Sequence, residues 1–95
     1  MNHLEEYSAI FKNAKHIHFT GIGGVSMSAL AMIAKSQGKL VTGSDANDSK
    51  SVRHLREQGI SVAIGHDAKN AEGCDLLVYT AAVKDNNPEL VYVKT

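Results

Sequence analysis

The sequence predicts an α/β domain built on a four-stranded parallel sheet, in the order 3-2-1-4, with helices on both faces. Three observations carry that expectation. Four short strand-like runs, at 16–20, 40–43, 60–64 and 76–80, alternate with stretches of helical spacing or turn formers. A glycine cluster, Gly21-Ile22-Gly23-Gly24, occupies the first strand-to-helix junction. Gly38 and Gly59 then close the two clearest helical stretches, where a left-handed residue costs a glycine nothing.

His16 to Thr20 alternates polar and apolar residues before meeting glycine, and reads as the first strand. From Val25 to Gln37, the residues Val25, Met27, Leu30, Ala31, Ile33 and Ala34 recur at helical spacing, which predicts a helix with a broad buried face. Leu40 to Gly43 is a short second strand, and Ser44 to Ser49 is dense in turn and cap formers. A second helix is expected from about Ser49 to Gln58, with Val52 and Leu55 inward. Ile60 to Ile64 forms the third strand, and Asp67 to Glu72 one irregular helical turn. Leu76 to Thr80 is the most continuous apolar run, expected as a strand buried on both faces. Asn87 and Pro88 mark a further helix start, as cap and first helical residue. Such β/α alternation implies right-handed crossovers and places the second and third strands on one side of the first, the fourth on the other.

Bulk properties remove several function classes. The chain has 95 residues, enough for one domain, 1–95. Ten basic residues balance ten acidic ones without a basic run, so no nucleic-acid partner is expected. A single cysteine, Cys74, excludes an internal disulfide framework and reads as a small packing residue. Residues 1–14 contain Glu5 and Glu6 and lack a long apolar core, unlike a signal peptide. Met27 to Ala34, interrupted by Ser28, is too short to span a bilayer, so no membrane partner is expected and the default location is cytoplasmic.

The glycine turn carries the chemistry. Gly21, Gly23 and Gly24 lack Cβ atoms, so the backbone can turn tightly and admit an anion to its N–H groups, while the following helix points its positive end at the same place. This is the context of a nucleotide-binding, Rossmann-like fold. Asp45, just past the second strand, is placed to accept from ribose hydroxyls, and Ser44 to assist at the same edge. Its plainer role is in the turn itself. His66, after the third strand, stands at the carboxyl edge where ligands bind. Thr80, Ala81, Ala82 and Val83, ending the fourth strand, leave room against the glycine loop. Ser26 stands where a dinucleotide fingerprint has its third glycine. There is no nucleophile–base pair, no metal-ligand spacing and no Gly-Lys-Ser/Thr; Gly38-Lys39 is followed by leucine. No catalytic residue is therefore expected in this chain, and no ATP hydrolysis.

The string His16-Ile17-His18-Phe19-Thr20-Gly21-Ile22-Gly23-Gly24-Val25-Ser26-Met27-Ser28, followed by Gly43-Ser44-Asp45, Gly65-His66 and Asn86-Asn87-Pro88-Glu89, resembles the amino-terminal domain of the Mur ligases over nearly the whole chain. Two departures are Ser26, where many members have glycine, and Ala81-Ala82-Val83 in place of a Ser-Ala-Ile-like string. The resemblance implies that Gly23, Gly24, Val25, Ser26 and Met27 line the pyrophosphate of UDP-N-acetylmuramate. It further implies that Asp45 takes the ribose, and that His66 and Thr80 to Val83 lie near the uridine. It implies a reaction in which ATP forms an acyl phosphate on the muramate carboxyl, which the amine of L-alanine then attacks. ATP and Mg²⁺ would be bound by an ATP-binding domain, and a carboxy-terminal domain would close over the amino acid. This chain ends at Thr95, before either, so it is expected to bind substrate without ligating it. The alternative is an NAD-binding regulatory module, since Asp45 suits an adenosine ribose equally well.

Overall fold

The computed structural model describes residues 11–94; the readings made on Glu5, Glu6 and most of the 1–14 segment lie outside them. In chain order the elements are β1 (His16–Thr20), α1 (Val25–Ser36), β2 (Leu40–Asp45), α2 (Lys50–Glu57), β3 (Ser61–Ile64), a 3-10 turn (Ala68–Ala71), β4 (Leu76–Val78) and α3 (Pro88–Lys94). The sheet is parallel throughout, in the order β3-β2-β1-β4. This is the expected topology.

Register gives the sheet two unlike faces. Ile17 pairs with Val41 and Leu76, and Phe19 with Gly43 and Val78. Paired residues in parallel strands share a face, so this one is apolar. Met27, Ala31 and Ala34 of α1 and Val52 and Leu55 of α2 join Ile17, Phe19 and Val41 in the core beneath it. A Cβ on Gly43 would run into the Ile22 side chain, at 2.8 Å from its Cβ and closer still to Cδ1, so only glycine lets Ile22 lie across β2. The opposite face carries His18, Thr20, Thr42 and Ser44. Most parallel sheets are apolar on both sides, but here the 3-10 turn and α3 cover a polar surface.

Several elements differ from the sequence-based expectation. β2 runs to Asp45, two residues beyond Gly43, because Ser44 and Asp45 pair with Ala63 and Ile64 of β3. Ser49 is the N-cap of α2, its hydroxyl accepting from Val52 N at 3.3 Å, and lies just outside the helix. β3 begins at Ser61, and Ile60 is a buried residue ahead of it. β4 stops at Val78 and pairs only with β1, so its three residues are half-buried and Tyr79 and Thr80 are exposed. A run of apolar residues does not separate an edge strand from a central one. α1 likewise buries a narrow stripe: Val25 is 88% exposed, and Leu30 and Ile33 face outward. At the carboxyl end, Asn87 Oδ1 accepts from Glu89 N at 2.9 Å and starts α3, as its cap-and-proline pair implied.

Candidate functional site

The glycine turn uses its first amides internally. Gly21, with φ +82°, donates to Ser44 O at 2.8 Å, and Ile22 donates to the same carbonyl at 3.0 Å. Gly23 N donates to Asp45 Oδ2 at 2.8 Å, and Gly24 N to Gly21 O at 3.3 Å. A Cβ on Gly23 would sit 2.8 Å from that same carboxylate oxygen. These bonds tie the loop to the end of β2, and Asp45 is itself braced by Asn47 N at 3.1 Å.

The next three amides are not used in this way. The N-cap of α1 is Gly24, which has no side chain to cap with, and the first intrahelical bond runs from Ser28 N to Gly24 O at 2.8 Å. Among the described residues, nothing accepts from the amides of Val25, Ser26 and Met27. Three N–H groups at the positive end of a twelve-residue helix are thus left without a protein acceptor, the arrangement that suits an anion.

That helix end lies where the strand order reverses, between β1 and β4, the usual ligand crevice of an open parallel sheet. Beside it is a cleft of about 460 Å³ lined by His66, Ala82, Val83, Lys84, Asn86, Asn87 and Pro88. Val83 is the link to the turn: its Cγ2 lies 3.7 Å from where a Cβ of Gly21 would stand. The structure thus brings Val83, which lines the cleft with His66 and Ala82, against Gly21, at the start of the turn that runs through Gly23 and Gly24 to Val25, Ser26 and Met27. Thr80 and Ala81 are exposed and do not line the cleft; Thr80 O accepts from Val83 N at 3.0 Å, closing the turn that aims Val83 inward. Ser44 is fully buried.

Glu89 organises the polar face, although its place in the sequence suggests no such role. It is fully buried at the start of α3. Its Oε1 accepts from His18 Nε2 at 2.7 Å, Thr20 Oγ1 at 2.8 Å and Ser44 Oγ at 2.7 Å. Its Oε2 accepts from Asn70 Nδ2 at 3.0 Å and Asp67 N at 3.2 Å, with His66 Nδ1 at 3.5 Å. Burial pushes this carboxyl upward, but the hydrogen bonds from His18, Asn70, Ser44 and Thr20 outweigh it and hold it far below the usual carboxylate range. The chain of hydrogen bonds extends outward: His18 Nδ1 meets Thr42 Oγ1 at 2.8 Å, which also meets His16 Nε2 at 2.9 Å. One signal for this centre is present in the sequence. Polar residues at alternate positions of β1 and β2 in a parallel sheet require a buried polar partner from whatever covers them.

The rest of the site offers little reactive chemistry. Burial, with Asp75 beside it, pushes the Cys74 thiol up and makes it a poor nucleophile. No group of His, Cys, Asp and Glu among the described residues could hold a metal ion. No helix among them is long and apolar enough to cross a membrane.

Comparison with known proteins gives the family. A family model described as "Mur ligase family, catalytic domain" matches residues 16–95. UDP-N-acetylmuramate–L-alanine ligase of Persephonella marina is 49% identical over 80 residues, which are 84% of this chain and 17% of that protein. The enzyme of the same name from Acetivibrio thermocellus is 46% identical over 93 residues, covering 97% of this chain and 20% of the relative. Among solved structures, UDP-N-acetylmuramate–alanine ligase from Thermotoga maritima superposes with a TM-score of 0.81 at 41% identity, covering 86% of this chain and 19% of that one. A murein peptide ligase from Psychrobacter arcticus gives 0.78 at 33% identity, over 84% and 17% of the two chains. The chain therefore spans about a fifth or less of the length of the relatives it matches.

Proposed function

The chain belongs to the Mur ligase family, and from that membership we propose that it is the part of an ATP-dependent ligase that holds UDP-N-acetylmuramate while L-alanine is joined to it in peptidoglycan synthesis. Residues 1–95 act as the UDP-substrate-binding domain. The observation that carries the reading is the set of amides at Val25, Ser26 and Met27, without an acceptor among the described residues and placed at the β1/β4 crevice beside a cleft with room for a nucleobase. The pyrophosphate lies on those amides, the uracil in the cleft of His66, Ala82 and Val83, and the ribose near Asp45.

Asp45 reaches the ribose while holding the turn. Its Oδ2 is occupied by Gly23 N and its Oδ1 by Asn47 N, but each carboxylate oxygen has two lone pairs, and the residue is only half-buried. Ser44 acts from beneath, through its carbonyl on the turn and its hydroxyl on His66. Thr80 and Ala81 set the course of the chain that brings Val83 to the turn.

ATP and Mg²⁺ belong to the complete enzyme. This chain has no lysine–hydroxyl phosphate clamp and no described carboxylate cluster to hold them, so the ATP-binding and carboxy-terminal domains of the same enzyme supply that chemistry. The setting is cytoplasmic, with neither nucleic acid nor membrane as a partner. Thermal unfolding with UDP-N-acetylmuramate, UDP, NAD and ATP added separately tests this. A ligand of the native state at one hundred times its Kd adds about 2.7 kcal/mol of stability. UDP and UDP-N-acetylmuramate at that excess are expected to raise the Tm by roughly 10–20 °C. A rise with NAD and none with the uridine nucleotides would favour the regulatory-module reading, since Asp45 also suits an adenosine ribose.

A further inference from the structure

We propose that Glu89, acting through Ser44, fixes His66 as its Nδ1–H tautomer, so that His66 Nε2 is an acceptor facing the cleft and selects uracil over cytosine. This rests on the nucleotide reading above and adds a positioning residue that makes no contact with the ligand.

Donor counting forces the tautomer. An ionised carboxylate only accepts, and a serine hydroxyl has one hydrogen. Ser44 Oγ lies 2.7 Å from Glu89 Oε1, so its hydrogen points there. The same oxygen lies 2.9 Å from His66 Nδ1 and must then accept from it. Glu89 Oε2, at 3.5 Å from Nδ1, draws the ring hydrogen to the same side. The alternative, in which Ser44 donates to His66, would turn the lone pairs of a buried hydroxyl toward a buried carboxylate oxygen at hydrogen-bond distance. Oε2 also accepts from Asn70 and Asp67 N, so all the donors around this carboxylate act together in keeping it ionised.

The other ring nitrogen is free of the protein. His66 Nε2 has no protein partner, yet no buried side-chain nitrogen or oxygen among the described residues lacks one, so Nε2 is open to solvent. His66 itself lines the cleft with the apolar surfaces of Ala82, Val83 and Pro88. A flat ring whose edge meets His66 finds a fixed acceptor there. Uracil presents N3–H, a donor, at its Watson–Crick edge; cytosine presents N3 as an acceptor and leaves two lone pairs opposed. A site that accepts a ligand N–H rejects the analogue lacking it.

The test has two arms. The first reads the imidazole nitrogens of His66 by ¹⁵N NMR at about pH 9, where an ordinary imidazole is neutral. The expected spectrum is Nδ1–H with an unprotonated Nε2, and Ser44→Ala is expected to move it toward Nε2–H. That variant leaves Glu89 Oε1 with His18 and Thr20, so the carboxylate keeps partners and the fold. The second arm compares UDP with CDP. UDP is expected to bind the parent chain roughly tenfold more tightly, with the ratio approaching one in Ser44→Ala. An Nε2–H tautomer in the parent chain overturns the proposal whatever binds. If UDP and CDP bind alike, the nucleotide site stands and the selection falls. If no nucleotide binds, the site reading falls, and base selection goes with it.

Discussion

Glu89 shows how one side chain can join a site to a fold. Its carboxylate accepts from β1, β2, the 3-10 turn and the loop before it, so a buried charge ties α3 to the sheet beside the packing of Leu90. Removing one partner of a buried charge network leaves the others desolvated and unpaired, which costs about 3–5 kcal/mol. Glu89→Ala is expected to lose that much in urea unfolding, a large share of the stability of a 95-residue chain. The same residue sets an acid limit. Its folded pKa lies well below the ordinary 4.5, so below that pH the unfolded chain takes up the proton first. The contribution is complete above about pH 4.5 and drains away as the pH falls further. Glu89→Gln is expected to flatten stability against pH over that acid range. Parallel curves for the two proteins would show that the carboxylate is not the titrating group.

At the scale of elements, the glycine turn depends on β2 as much as on its own residues. Ser44 O takes two of its amides, Asp45 takes a third, and Gly43 makes room for Ile22. Gly43→Ala forces Ile22 and with it the turn to move, since the clash reaches the Ile22 Cβ as well as the end of the side chain, and a rotamer change alone does not relieve it. Overpacking of this kind costs about 1–3 kcal/mol. The expected outcome is a lower Tm together with weakened UDP binding; a wild-type Tm would show that Ile22 can repack freely. The order of strands and the turn itself were legible in the sequence because glycine positions and helical spacing are local signals. The ends of β2 and the exposure of β4 were not, because pairing partners and edge position are set by tertiary contacts that a run of apolar residues does not encode. Glu89 escaped for the same reason. His18, Thr20 and Ser44 announced a polar face, but which residue would answer them depended on where α3 comes to rest.

Across the whole molecule the two faces of the sheet divide the labour. The apolar face, packed by α1 and α2, supplies the hydrophobic core. The polar face, closed by α3 and the 3-10 turn, supplies rigidity to the residues that border the cleft. Both meet at the carboxyl edge of the strands, where α1 presents its amides and β4 leaves the sheet toward Val83. That geometry suits the proposed role, in which the chain grips the nucleotide end of a long substrate. The most direct measurement is a titration of the ¹⁵N-labelled chain with UDP-N-acetylmuramate, following backbone amide shifts residue by residue. The largest changes are expected at Val25, Ser26 and Met27, with a second set at His66 and Val83. Changes centred instead on the groove between α1 and α2, at Ser28, Met32 and His54, or no changes at saturating substrate, would contradict a pyrophosphate site at the start of α1.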